Sequence, residues 1–166
     1  MVTPKDRIEA IKAGKIDLEC GATTNTEKRR LDVDFSIPTY ISHMRVAKLP
    51  STSFTLIGKQ SQKIDAIVID GTSAVDFISI NNEGNKTVKP DYNKIVVKDM
   101  TEALDKLKAS QNPAIVIYDD ILLISAIKAR ADKDAFLVTD DHLSVDPYGI
   151  MSQKGSKLGK VLNDYI

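Results

Sequence analysis

The sequence has no tryptophan, only one cysteine and no excess of either charge. The single cysteine, Cys20, excludes an intramolecular disulfide and disfavours a cysteine-based metal site. The 23 basic and 23 acidic side chains balance, so electrostatics gives no reason to expect nucleic acid or an anionic membrane as a partner. No apolar run approaches the length of a membrane span. With 42% hydrophobic residues among 166, the composition favours one domain with its own core, or two small lobes.

The first residues also lack the basic start and apolar core of a secretory signal. Residues 3–6 instead predict the beginning of a helix, with Thr3 as its cap and Pro4 at the first helical position. Gly14 provides a left-handed stop for that helix. We therefore expect that this chain, as it stands, carries no signal for export.

Short apolar runs alternate along the chain with helical patterns. Residues 64–69 are almost continuously apolar and β-branched, which is typical of a strand covered on both faces. Residues 114–117 predict another strand, and the apolar helix at 121–131 follows it. Asp99 and Glu102 have the spacing of a capping box at the start of a helix. This alternation predicts an α/β fold with mainly parallel strands and right-handed crossovers.

The boundaries of the smaller elements are predicted from turn and cap residues. Thr24 or Asn25 is expected to cap a helix that continues through Arg30, and residues 35–38 are expected to form a loop. Residues 157–165 predict a closing helix.

Three predicted junctions between a strand and the next helix carry polar residues, at 21–29, 70–73 and 118–120. Ligands of open α/β sheets bind beyond the carboxyl ends of the strands, beside helix N-termini. The first two junctions offer hydroxyls and backbone N–H groups, which favour an anion. Arg29 lies a little over one turn beyond Thr24, so its planar guanidinium could reach back to a carboxylate.

The third junction offers the opposite charge. Asp119 ends an apolar strand, where its carboxylate could hold an ammonium group. Anion-binding junctions together with an acidic junction suit a zwitterion, of which an amino acid is the simplest example.

A simpler interpretation of these residues remains open. Thr24, Asp70, Asp99 and Asp119 are all suitable N-caps, and a helical arginine is commonly solvated or in a weak surface pair. The acidic and histidine residues at 140–142 are not expected to bind a metal, and no catalytic triad spacing is visible.

Taken together, these segments resemble the type II periplasmic binding proteins for polar amino acids, especially the glutamate/aspartate-binding branch. The resemblance runs in order along nearly the whole chain, through residues 6–18, 20–29, 35–40, 71–73, 118–120 and 147–150. It implies the type II periplasmic-binding-protein fold, in which two α/β lobes close on a ligand in the cleft between them.

The resemblance also implies a set of six ligand-binding residues. It implies no catalytic residue, no cofactor and no metal. The ligand α-carboxylate would be held by Thr24, Arg29, Thr72 and Ser73. The α-amino group would be held by the backbone carbonyl of Ala22 and the carboxylate of Asp119.

Two departures from the family pattern bear on specificity and completeness. Met100 stands where the dicarboxylate binders carry a histidine, so the identity of the ligand side chain stays open. The family has further elements before the first helix of this chain. Lobe one is therefore expected to be incomplete and N-terminally truncated, with residues 1–43 plus 144–166, whereas lobe two comprises residues 44–143. An incomplete lobe would expose apolar surface and favour a homodimer or an exchange of segments.

The resemblance implies the solute-binding component of an amino-acid ABC importer. It would be periplasmic, with a free amino acid and the membrane subunits of the transporter as partners. Two alternatives stay open. One is a truncated fragment that binds nothing, or a sensory ligand-binding module. The other is an enzyme like the cyclohexadienyl dehydratases, for which Asp119 or Asp120 would supply the acid.

Overall fold

The chain divides into two compact units. The structure is a computed structural model that describes residues 2–53, 63–83 and 92–166, with the backbone alone for 81–83. Unit 1 comprises Met1–Ser42 and Val145–Ile166, and unit 2 comprises His43–Ser144. The polypeptide therefore passes between the units twice.

The described residues form α-helices, strands and one 3-10 helix. In chain order these elements are α1 (Arg7–Lys12), β1 (Leu18–Glu19), α2 (Glu27–Arg30), β2 (Val33–Phe35), β3 (Tyr40–Lys48), β4 (Ile64–Ile69), α3 (Ser73–Glu83), β5 (Tyr92–Val97), α4 (Met100–Ala109), β6 (Ala114–Asp119), α5 (Asp120–Lys128), the 3-10 turn Lys133–Ala135, β7 (Leu137–Val138), β8 (Ser144–Tyr148), β9 (Met151–Gln153) and α6 (Leu158–Asn163).

Unit 1 is built on a small antiparallel sheet in the order β1-β9-β2. The central strand β9 pairs with both neighbours, so that Met151 lies opposite Glu19 on one side and Phe35 on the other. Met151 is fully buried and packs with Ile11 of α1 and Val33 of β2. Helix α1 thus covers one face of the sheet, and the apolar core between the helix and the sheet contains few residues.

Helix α1 ends in a Schellman motif at Gly14. The glycine has φ +64°. Its amide donates to the carbonyl of Ile11 at 3.0 Å, and the amide of Lys15 donates to the carbonyl of Ala10 at 2.9 Å. These two bonds satisfy carbonyls that the helix end would leave without partners, and they need the left-handed backbone that glycine adopts without strain. The predicted stop at Gly14 is confirmed.

Unit 2 contains a sheet in the order β5-β4-β6-β3-β7. The side chains of β4 alternate between two cores. Ala66 and Val68 join a cluster with Ile78 of α3, whereas Ile67 and Ile69 pack in a second cluster with helices α4 and α5. Because both faces of β4 are covered, its sequence is apolar almost throughout, as predicted.

The expected parallel arrangement is found in this sheet only among β5, β4 and β6, which lie at one end of the strand order. Strand β4 runs parallel to β5 and to β6, whereas β3 is antiparallel to both β6 and β7, and the described pairings of unit 1 are antiparallel. A parallel pair requires a crossover, and helices α3 and α4 provide those connections. The architecture is therefore mixed α/β rather than mainly parallel.

Two local predictions differ from the structure in instructive ways. Helix α2 is capped by Thr26, whose hydroxyl accepts from the amide of Arg29 at 3.2 Å, and not by Thr24 or Asn25. The loop expected at 35–38 overlaps strand β2, because Phe35 is the last residue of that strand. In contrast, Asp99 caps α4 as predicted, because its carboxylate accepts from the amide of Glu102 at 2.9 Å.

Alkaline pH offers a test of the packing at the start of β5. Tyr92 is 3% exposed, and burial raises its pKa from 10.0 to about 12. Because the folded state favours the neutral phenol, the stabilisation is complete below pH 10 and is lost as the pH rises towards 12. We expect this loss to be on the order of 2 kcal/mol in the wild type and absent in Tyr92→Phe. Chemical denaturation at pH 9 to 12 would measure it.

Tyr165→Phe is the matched control, because Tyr165 is 87% exposed. This variant should lose stability with pH in parallel with the wild type. If Tyr92→Phe also followed the wild-type curve, the phenol of Tyr92 would not be buried in the neutral form.

Candidate functional site

In unit 1 the guanidinium of Arg29 contacts the turn that contains Thr24, and the sequence predicts both as ligand-binding groups. Arg29 belongs to the short helix α2 and is 7% exposed, although four-residue helices at a surface commonly leave their charged side chains in water. Its Nη1 donates to the backbone carbonyl of Thr24 at 2.8 Å. Arg29 therefore reaches back across its own helix start, as the spacing predicts, and the simple interpretation of an exposed, solvated arginine is wrong.

The segment before α2 is docked on the strand β8. Thr24 is 4% exposed and forms an isolated antiparallel bridge with Tyr148. The amide of Asn25 donates to the carbonyl of Pro147 at 2.7 Å, and the amide of Gly149 donates to the carbonyl of Thr23 at 3.2 Å. The backbone that carries Ala22 and Thr24 is thus held from outside its own turn.

A second buried arginine contacts the same segment, and the sequence prediction missed it. Arg7 of α1 is 7% exposed. Its Nη1 donates to the carbonyl of Ala22 at 3.1 Å and to the hydroxyl of Thr23. The carbonyl that the resemblance assigns to a ligand ammonium therefore already accepts one hydrogen bond from a cation of the chain.

A pattern in the sequence could have identified Arg7. The buried residues of α1 are Arg7, Ala10 and Ile11, which are three and four positions apart and so share one helical face. A charged residue on the apolar face of a helix requires hydrogen-bond partners from a neighbouring element. Its position on that face is the signal.

In unit 2 the other three predicted residues, Thr72, Ser73 and Asp119, lie at the carboxyl ends of two adjacent parallel strands. The register pairs Asp65 of β4 with Ala114 of β6 and continues to Ile67 opposite Val116. Thr72 and Ser73 follow the carboxyl end of β4, and Asp119 is the last residue of β6. Parallel strands place their carboxyl ends at the same edge of a sheet, so these residues share that edge.

The two junctions differ in how their side chains are engaged. Thr72 is 8% exposed, and its hydroxyl donates to the carbonyl of Ile69 at 2.6 Å. Asp119 is 7% exposed and precedes α5, but its carboxylate makes no capping hydrogen bond with that helix. The neighbouring Asp120 instead accepts from the amide of Ile121 at 2.7 Å. Capping of α5 therefore does not explain why an acidic residue stands at position 119.

The histidines lie together close to this edge. The rings of His43 and His142 stack with centroids 4.1 Å apart, and Nδ1 of His43 is 3.7 Å from a carboxylate oxygen of Asp120. Asp140 pairs with Arg45 at 3.0 Å. Across residues 2–53, 63–83 and 92–166, no cluster of three or more His, Cys, Asp or Glu side chains has the geometry to hold a metal ion.

Unit 1 also contains an open pocket of about 410 Å³ that includes none of the six predicted residues. Asp34 and Lys160 are among its lining residues. A hydrogen bond from Lys154 and one from the amide of Gly155 hold the pKa of Asp34 below its ordinary value. Within the part of the chain that the structure describes, no helix has both the length and the apolar character needed to cross a membrane.

The sequence matches one described protein family over most of its length. Residues 1–116 match the bacterial extracellular solute-binding proteins, family 3. The chain is 27% identical over 164 residues to the L-glutamate/L-aspartate-binding protein of Pseudomonas aeruginosa, covering 99% of this chain and 53% of that protein. It is 28% identical over 156 residues to the glutamine-binding protein of Geobacillus stearothermophilus, covering 94% and 55%.

Solved structures of binding proteins share the fold. A mutant of ArgBP from T. maritima aligns with a TM-score of 0.79 at 20% identity, covering 98% of this chain and 67% of that one. The solute receptor for L-cysteine of Neisseria gonorrhoeae aligns with a TM-score of 0.79 at 22% identity, covering 99% and 63%. These likenesses confirm the predicted type II periplasmic-binding-protein fold. The chain spans about half the length of the two curated relatives.

Proposed function

We propose that this chain, which belongs to family 3 of the bacterial extracellular solute-binding proteins, binds a free polar amino acid. The binding would serve an amino-acid ABC importer, outside the cytoplasm, with the membrane subunits of that importer as partners. We further propose that binding occurs without turnover, since the curated relatives above are named as binding proteins.

One observation carries the proposal, namely the buried guanidinium of Arg29 beside Thr24. A guanidinium removed from water interacts strongly with a carboxylate, and its planar fork offers two parallel hydrogen bonds. The guanidinium is anchored at the carbonyl of Thr24 by a hydrogen bond of 2.8 Å from Nη1. We assign the α-carboxylate of the ligand to Arg29 and Thr24.

The complementary charge would come from unit 2. Asp119 presents a carboxylate at the strand edge that also carries Thr72 and Ser73. We assign the α-ammonium to Asp119, and the hydroxyls of Thr72 and Ser73 to the carboxylate. In this proposal the units correspond to lobe one, residues 1–43 plus 144–166, and lobe two, residues 44–143. A ligand bound by both would favour the closed state only by its differential affinity for that state.

The side-chain specificity is left broad in the proposal. Met100, which opens α4, packs against the apolar core of unit 2 rather than offering a charge. The two relatives are named for ligands with acidic and with amide side chains, respectively. We therefore propose a polar amino acid as the class and leave its side chain to experiment.

A thermal-shift screen against the twenty amino acids tests the proposal. A ligand at a hundredfold excess over its Kd should add about 2.7 kcal/mol and raise the Tm by several degrees. Arg29→Ala should weaken binding by about 30-fold or more, equivalent to about 2 kcal/mol, because a carboxylate would lose its buried partner. Calorimetric titration would give the affinities.

Arg30→Ala is the matched control for Arg29→Ala. Arg30 is the next residue of the same helix, but it is exposed and donates to the side chain of Asn25 at 3.0 Å. The control should bind as the wild type does. Equal losses in both variants would contradict the assignment of the carboxylate, and a wild type that responds to no amino acid would contradict the function.

The proposed ammonium contact predicts a second pair of variants. Asp119→Asn keeps the size of the side chain but removes its charge, so the affinity for the amino acid should fall by about tenfold or more. Asp120→Asn retains an oxygen for the amide of Ile121 and should leave the affinity unchanged. Mass spectrometry of the recovered ligand would check that it is not converted. Turnover of prephenate or arogenate that depends on Asp119 would favour the dehydratase-like alternative.

We also propose that unit 1 associates with a second copy through helix α6. Leu158, Val161 and Tyr165 follow helical spacing and are 39%, 49% and 87% exposed, respectively. The opposite face meets the unit, because the side chain of Asn163 accepts from the amide of Ile37 at 2.8 Å. The apolar stripe of this helix is thus turned outward.

Light scattering tests this association. The wild type should be dimeric, and Val161→Glu should be monomeric because the charge would be buried in the interface. Leu31→Glu is the control, since Leu31 is 80% exposed in unit 1 but lies outside α6. A monomeric wild type at all concentrations would refute the proposal.

A further inference from the structure

We propose that Arg7 is a positioning residue for the ligand site, acting through Thr23 and Glu19 on the segment that carries Ala22 and Thr24. The inference rests on the proposed function for its consequence, whereas the contacts themselves are made between residues of this chain. It assigns a role to a buried charge that the binding proposal does not otherwise use.

The first step is the position of the guanidinium. Arg7 begins α1 on the face that packs towards the sheet, four residues before the fully buried Ile11. Its Nη1 contacts two groups of one turn, the carbonyl of Ala22 at 3.1 Å and the hydroxyl of Thr23. Helix α1 therefore reaches the predicted ligand segment through the side chain of Arg7.

The second step is the carboxylate that holds the other end of the same turn. Glu19 ends β1, and its Oε2 accepts from the hydroxyl of Thr23 at 2.7 Å. Its Oε1 accepts from the amide of Gly21 at 3.0 Å. The hydroxyl of Thr23, which is fully buried, thus accepts from a cation and donates to an anion, so it joins Arg7 to Glu19.

The third step leads from this network to Arg29. The backbone of Thr23 is fixed by the amide of Gly149, and the next carbonyl, that of Thr24, accepts from Nη1 of Arg29. Arg7 therefore contacts Thr23, the residue directly before the one whose carbonyl accepts from Arg29. A rotation of the turn at residues 22–23 would move that acceptor.

The energetics argue for a positional role. A charge on the buried face of α1 costs desolvation, and an apolar side chain of similar volume commonly stabilises such a position equally well or better. Arg7 is compensated only where its hydrogen bonds are made, so it favours one geometry of the turn over others. That selectivity is the property required of a group that orients a binding site.

Amide hydrogen exchange in the ligand-free chain tests the positioning directly. Thr23→Val keeps the shape of the side chain but removes the hydroxyl, and Arg7→Met keeps the length but removes the charge. Both should accelerate exchange at the amides of Gly21 and Gly149 by about tenfold or more. Thr23→Ser restores the hydroxyl and should restore slow exchange. Ile11→Val is the control for a general loss of stability in α1.

Affinity for an amino acid identified in the thermal-shift screen is the second measurement. It should fall at least tenfold in Arg7→Met and Thr23→Val, at temperatures where both are folded, and recover in Thr23→Ser. Unchanged exchange and unchanged affinity in Thr23→Val, with only a lower Tm like that of Ile11→Val, would overturn the positioning role. If the wild type binds no amino acid, the proposed function fails, and the exchange rates alone decide whether Arg7 holds the turn.

Discussion

The structure of unit 2 depends on the burial of β4 on both faces. Ile67 and Ile69 pack towards α4 and α5, whereas Ala66 and Val68 pack towards α3. A strand that is apolar on both sides requires helices on both sides, and its parallel pairing with β5 and β6 requires crossovers. The carboxyl ends of these strands are thereby brought to one edge. Thr72, Ser73 and Asp119 share that edge because β4 is buried.

Unit 1 has much less apolar packing and relies on polar contacts to hold its loops. Its described core centres on Ile11, Val33 and Met151. The segment at 21–25 instead accepts hydrogen bonds from Arg7 and Arg29, and it donates hydrogen bonds to Glu19 and to the carbonyl of Pro147 in β8. Hydrogen bonds are directional, so they can hold a turn in one conformation where a small core would tolerate several. In such a unit, charged side chains that form several hydrogen bonds can orient the segment at 21–25 where apolar packing is sparse.

The sequence predicted features whose cause is local. The strand at 64–69, the cap at Asp99 and the stop at Gly14 each follow from the preferences of a few adjacent residues, and the ordered motifs identified the family. Features that depend on distant partners were missed. Strand β2 exists because Val33 to Phe35 pair with β9, more than a hundred residues later. Strand β3 is antiparallel to β6 through partners that are 67 to 75 residues apart in the sequence. Arg7 was overlooked because its acceptors lie 15 and 16 residues away.

The missed arginine also changes how the carbonyl of Ala22 should be understood. The resemblance implies that this oxygen accepts from a ligand ammonium, and a carbonyl has a second lone pair for that purpose. A guanidinium already bonded to it at 3.1 Å would, however, repel a second cation. The buried cations of unit 1, Arg7 and Arg29, both act on the 22–24 segment, so its chemistry suits a carboxylate better than an ammonium. This is why the proposed function assigns the ligand ammonium to Asp119 rather than to the carbonyl of Ala22.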